Sequence, residues 1–231
     1  MKNIMINSQR VKEWTIKYGA QLCGIAPVAR FKDAPTGFHP RDVFPDCKSV
    51  IVFASYFPLS TLQAKTNAPY TFVRNMMINK LDQISFQLSI ELERKGVTSI
   101  PVPSSEPYDY WDPDRRHGRG IISLKHAGFL AGLGILGKNT LLINNKYGNM
   151  IWLGANLASI DLEPDPIATY QACISNCSLC IDSCPQNALD GLTINQKICR
   201  EIMFTCSEGG GLVLSCNICR KICPYHAGLY K

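Results

Sequence analysis

Residues 173–185 read CISNCSLCIDSCP and residues 216–224 read CNICRKICP, that is, C-x3-C-x2-C-x3-C-P followed by C-x2-C-x3-C-P. Thiolates this close in sequence can wrap a cubane [4Fe-4S] cluster, because each iron takes one cysteine sulfur and a short loop offers three from one side. In two-cluster ferredoxin segments the cysteine before proline ligates the other cluster, so paired motifs exchange their last sulfurs. The spacing therefore predicts one cluster on Cys173, Cys177, Cys180 and Cys223, and a second on Cys184, Cys216, Cys219 and one further thiolate. Cys199 and Cys206 compete for that place. Cys199 is preferred because it falls on a predicted helix, Gln196 to Phe204, between the motifs.

One spacing departs from the bacterial pattern, since three residues rather than two separate Cys173 from Cys177. The wider loop should still reach. Zinc sites also use C-x2-C pairs, but they seldom add a third cysteine at this spacing followed by proline, twice. A disulfide framework suits a short secreted chain, whereas here 11 cysteines form an odd total and nine lie between Cys173 and Cys223. That pattern favours reduced thiols used as metal ligands. Cys23, Cys47 and Cys206 are left as structural thiols.

The chain has 231 residues, 46% of them hydrophobic, which suffices for a folded core. No stretch reaches the roughly 18 uncharged apolar residues of a membrane span, and MKNIMINSQR lacks the apolar region of a signal peptide. A reducing cytoplasm is the expected location, with no membrane partner. The net charge of +6 is scattered along the chain and forms no stripe or tail, which is weak evidence for nucleic acid.

Outward from the cysteines, the preceding sequence alternates α and β. Val11 to Tyr18 reads as helix, and Gln21 to Ala26 as a short strand. Ser49 to Tyr56 (SVIVFASY) has the apolar, β-branched character of a buried strand. Met77, Leu81, Ile84, Leu88 and Leu92 lie on one face of a long helix ending at Gly96, and Val97 to Val102 returns as strand. Pro103 to Gly120 reads as loop, Ser123 caps a helix through Leu130, and strands follow at Thr140 to Asn144 and Met150 to Ile160. The fold class is α+β: a mixed α/β sheet domain over residues 1–165, then a ferredoxin-like two-cluster domain over residues 166–231. A two-cluster ferredoxin needs only the second part. The glycine-rich run AGLGILGKNTLLI, Ala131 to Ile143, is the best candidate for a cofactor cradle, although by spacing alone tight turn packing is the better explanation.

SLKHAGFLAGLGILGKNTLLI, KYGNMIWLGANL and the paired cysteine motifs closely resemble the catalytic core of the epoxyqueuosine reductases, relatives of the reductive dehalogenases. GIAPVARF and SVIVFASY resemble that family's opening strands. The resemblance implies a nitroreductase-like layered domain binding cobalamin against Gly132, Gly134, Gly137, Lys138, Asn139 and Thr140, with electrons passing from the clusters to cobalt. It also implies a low-potential donor such as ferredoxin or flavodoxin. Two departures stand out. The family carries an essential Asp shortly upstream of the A-G-L-G run, but His117 to Lys125 contains no acid; the family continues into helical repeats that help hold tRNA, whereas this chain stops at Lys231. tRNA is therefore disfavoured, and the expected substrate is a small molecule or another protein's corrinoid. Tyr108, Asp109, Tyr110, His117 and His126 are the weak candidates for proton donor, and Arg115 and Arg116 for meeting a phosphate or carboxylate. The competing reading is an electron-transfer protein with two clusters and no chemistry of its own.

Overall fold

The computed structural model describes residues 6–114, 117–206 and 210–229. In chain order these form α1 (Ser8–Lys17), β1 (Leu22–Pro27), α2 (Pro40–Val43), β2 (Ser49–Tyr56), α3 (Ala68–Glu93), β3 (Ser99–Val102), β4 (Tyr110–Asp112), β5 (His117–Arg119) and α4 (Leu124–Leu130). There follow β6 (Ile135–Leu136), β7 (Leu142–Ile143), β8 (Ile151–Ala158), α5 (Leu179–Asp182), α6 (Gln196–Met203), β9 (Phe204–Cys206), β10 (Leu212–Leu214) and α7 (Ile218–Lys221).

The central strand is β2, buried over seven of its eight residues. Its side chains alternate, as a strand requires. Val50, Val52 and Ala54 enter one apolar cluster with Ala127, Ala131 and Leu133 of the α4 region, while Ile51 and Phe53 enter another with Leu81, Ile84, Leu88 and Leu92 of α3. A sheet covered on both faces is why the sequence there is apolar without polar alternation.

The sheet order is β1-β2-β8-β3, and every neighbouring pair is antiparallel. The expected mixed sheet is thus antiparallel throughout. Helix α3 carries the chain from β2 to β3, which run in the same direction but leave a gap that β8 later fills. Pairing with β8 turns each contact antiparallel. The expected strand at Thr140 to Asn144 shortens to β7, because Asn144 closes a turn by bridging to Gly148. Pro103 to Gly120 is not wholly loop: β4 and β5 pair within it, with Arg119 stacked 4.9 Å from the Tyr110 ring. Among the described residues no helix is long and apolar enough to cross a membrane.

A buried polar network ties α3 to the sheet. The fully buried Asn156 amide donates to Ser89 Oγ (2.8 Å), Ser99 Oγ (3.1 Å) and the Ser85 carbonyl (3.0 Å), and its oxygen accepts from the Ser85 hydroxyl (3.0 Å). Removing one member strands the others without water. Asn156→Leu is expected to cost about 3 kcal/mol, read from the urea midpoint, despite its added apolar surface.

Candidate metal centre

Two small cavities lie in the cysteine-rich segment. Cys173, Cys177, Cys180 and Cys223 line one, with Lys138 and Asn139. Cys184, Cys199, Cys216 and Cys219 line the other. Cys206 is exposed on β9, away from both sets. The extra residue of the first loop is absorbed by Asn176, which takes a left-handed conformation (φ 59°) just before Cys177. All 11 cysteines are free thiols. Among the described residues no three His, Cys, Asp or Glu are gathered tightly enough to hold a single metal ion.

Electrostatics within each set are self-opposing. Burial pushes up the thiols of Cys180 and Cys223, and each is raised further by Cys173 and Cys177. Burial likewise raises Cys199, helped by Cys216 and Cys184, and pushes Cys219 up to about 11. Four thiolates sharing one buried cavity repel one another, so the arrangement calls for a positively charged body among them. Backbone N–H groups already point at sulfur: Lys138 donates to Cys173 Sγ (3.5 Å) and Ala188 to Cys184 Sγ (3.3 Å).

The glycine-rich run holds these motifs. Lys138 Nζ donates to the Cys177 carbonyl (2.8 Å), and the buried Asn139 amide donates to the Cys219 carbonyl (3.1 Å), so adjacent residues grip both sets. Thr140 is left-handed (φ 59°) and accepts from Lys125 Nζ (3.2 Å). The glycines make close packing possible: a Cβ on Gly132 would stand 2.1 Å from the Pro166 carbonyl oxygen, on Gly134 2.6 Å from that of Ile143, and on Gly137 2.6 Å from Ile143 Cδ1. Their vacant side-chain positions face the protein's own atoms and no open cradle.

Beside the second set, a cavity of about 180 Å³ is lined by Lys125, Asn149, Trp152 and Arg220, among others. Asn149 is 1% exposed and its Oδ1 has no hydrogen-bond partner. Spacing could not reveal these residues, because α4, the turn before β8 and α7 meet only in the fold. None of the proton-donor candidates lines this cavity. Tyr108 stacks on Trp111 (5.8 Å) and leaves no room for a side chain at Gly118. Asp109 and Tyr110 are exposed. His126 accepts or donates to Ser123 Oγ (2.7 Å), with its pKa lowered by burial and then Lys125, and it faces a different cavity with Phe31 and Phe129. The His117 side chain, Arg115 and Arg116 lie outside the described residues.

No protein-family model matches the chain. An epoxyqueuosine reductase of Staphylococcus aureus is 32% identical over 121 residues, a match covering 48% of this chain and 31% of that relative. The matched segment thus spans about a third of the relative's length. The structure of epoxyqueuosine reductase from Streptococcus thermophilus aligns with a TM-score of 0.66 at 19% identity, over 98% of this chain and 69% of that one. A reductive dehalogenase structure described as suggesting a mechanism for B12-dependent dehalogenation aligns with a TM-score of 0.67 at 15% identity, over 93% of this chain and 31% of that one.

Burial also pushes the Cys47 thiol up to about 11 and the Cys23 thiol, which packs beside Thr15, to about 12, from an ordinary 9.0. Both should resist iodoacetamide at pH 8 in folded protein while Cys206 reacts, as read by mass spectrometry. The native state holds these protons more tightly than the unfolded chain does. Their stabilisation is therefore complete below pH 9 and lost as pH rises toward 11, and urea midpoints in a Cys23→Ala/Cys47→Ala variant should fall less steeply over that window.

Proposed function

From the premise that this chain is epoxyqueuosine reductase-like in sequence and fold, we propose that it is an oxidoreductase holding two [4Fe-4S] clusters that supply electrons to cobalamin. In this reading residues 1–165 bind the cobalamin and residues 166–231 form the ferredoxin-like part. The observation that carries it is the pair of cavities, each lined by four cysteines, with both motifs contributing to each and Cys199 completing the second. The ligands are Cys173, Cys177, Cys180 and Cys223 for one cluster, and Cys184, Cys199, Cys216 and Cys219 for the other. The donor set fits iron: it is all thiol, and it receives backbone N–H groups at sulfur. Sulfurs around a four-iron cube stand further apart than ligands around one ion, which suits cavities in which no three groups converge on a single point.

The cobalamin reading rests on the cavity beside Asn149. Its buried, unpartnered Oδ1 suits a ligand bearing amide donors, as the side groups of a corrin do, and a cavity of about 180 Å³ takes one such group. Asn149 would accept from it, Trp152 would offer an apolar wall, and Lys125 and Arg220 would exclude cations. Bound there, cobalamin would supply a strongly reducing centre fed by single electrons from the clusters. With no acid between His117 and Lys125, the substrate is a small organic molecule or another protein's corrinoid in preference to tRNA. A specific observation favours the second reading, an electron carrier without chemistry: the glycines of the run are filled by packing. Anaerobic purification with cobalamin supplied separates the two. A bound corrinoid absorption band supports the first, and two clusters with no corrinoid bound leave the second.

Iron content tests the ligand set. Oxygen-free protein should carry about eight irons. Cys199→Ala should lose about half of them and Cys206→Ala none, so equal iron in the two variants would overturn the assignment.

A further inference from the structure

Lys125 of α4 and Arg220 of α7 line one cavity, the first half-buried and the second 7% exposed. No Asp or Glu lines that cavity, and the ion pairs among the described residues join Arg10 to Glu13, Lys12 to Asp165 and Lys48 to Asp161. The hydrogen-bond partners of these two cations are neutral: Thr140 Oγ1 for Lys125 and the Asn149 carbonyl for Arg220, whose guanidinium also lies 4.8 Å from the Trp152 ring centre. Cations taken out of water without a counter-charge are costly, so a fold that keeps two of them side by side has an anion in reach.

Both cations are linked to Cys219 through the chain or its hydrogen bonds. Arg220 follows it directly. Lys125 reaches it through Thr140, whose neighbour Asn139 binds the Cys219 carbonyl. A cube bound by four thiolates carries net negative charge and becomes one unit more negative on reduction. Nearby positive charge therefore favours the reduced form.

We propose that Lys125 and Arg220 are the counter-charges of the cluster held by Cys184, Cys199, Cys216 and Cys219, and that they raise its reduction potential. This rests on the iron-sulfur reading above. The step concerned is the gain of one electron from a low-potential one-electron carrier, with no bond made or broken and no proton required. The first set has a cation of its own, since Lys138 lines that cavity and donates to the Cys177 carbonyl. The proximity has an electrostatic trace: burial lowers the Lys125 pKa, and Cys219 opposes that lowering.

The test is a redox titration of anaerobic, iron-loaded protein followed by electron paramagnetic resonance, comparing wild type with Lys125→Gln and Lys125→Arg. Lys125→Gln, with full iron, should lower one potential so that the reduced-to-oxidised ratio falls about tenfold at fixed potential, which is 59 mV for one electron. The other potential should not move, and Lys125→Arg should restore the first. In a Cys199→Ala background the remaining cluster should not respond. Unchanged potentials, equal shifts in both clusters, or a Lys125→Arg shift as large as that of Lys125→Gln would overturn the proposal while leaving the clusters in place. Absence of iron from wild type would instead sink the reading beneath it. Should Lys125→Gln fail to load iron, Arg220→Gln carries the same expected downward shift and decides the matter.

Discussion

Eight thiols crowded into two small buried spaces repel one another as soon as they ionise, and the cysteine-rich segment has little else to oppose that repulsion. Helices α5 and α7 have four residues each, and β9 and β10 three. Elements this short are not stable by propensity, because the first helical turn costs more backbone entropy than it returns. The segment instead borrows order from the sheet domain. Leu229 donates to the Asn145 carbonyl (2.8 Å), the Asn149 amide to that of Arg220 (3.2 Å), and a Cβ at Gly148 (φ 60°) would stand 2.0 Å from the Tyr225 carbonyl oxygen. The last contact leaves no choice of residue, since both the conformation and the clearance demand glycine.

The sheet domain is built to make that support rigid. Strand β8 pairs with β2 along its whole length and with β3 over Ala155–Ala158, and its first residues lie beside Asn149 and Arg220. Asn156, further along the same strand, fixes it to α3 through Ser85 and Ser89 and to β3 through Ser99. A displacement of the cysteine segment would therefore have to drag a central strand, at the cost of a polar network that water cannot repair.

What could be read from the sequence follows from how local each signal is. Cysteine spacing is written along the chain, and β2 and α3 were legible because unbroken apolar character and a three-to-four-residue stripe have single interpretations. The antiparallel sheet was not legible: it depends on β8 entering between β2 and β3, a pairing across some hundred residues of chain. The β4–β5 hairpin carries little apolar alternation, since Tyr110 and Trp111 are both exposed, and Arg119 stacks on Tyr110 and lies 5.7 Å from the Phe38 ring. Lys125, Asn149 and Arg220 fall in three separate stretches of sequence, and no spacing along the chain relates them. Their relation exists only where three elements meet.

The glycine-rich run shows how one pattern of letters can serve two physical ends. Read as a string, three glycines suggest backbone bared to a ligand. In the fold their missing side chains let the chain turn against Pro166 and Ile143, and the turn delivers Lys138, Asn139 and Thr140 in succession to Cys177, to Cys219 and to Lys125. A turn that touches both thiol sets and a buried cation ties their positions to one another. The run and the cysteines are therefore a single device, because a change of even one methyl group at Gly132 or Gly134 would displace the groups that hold both sets in register.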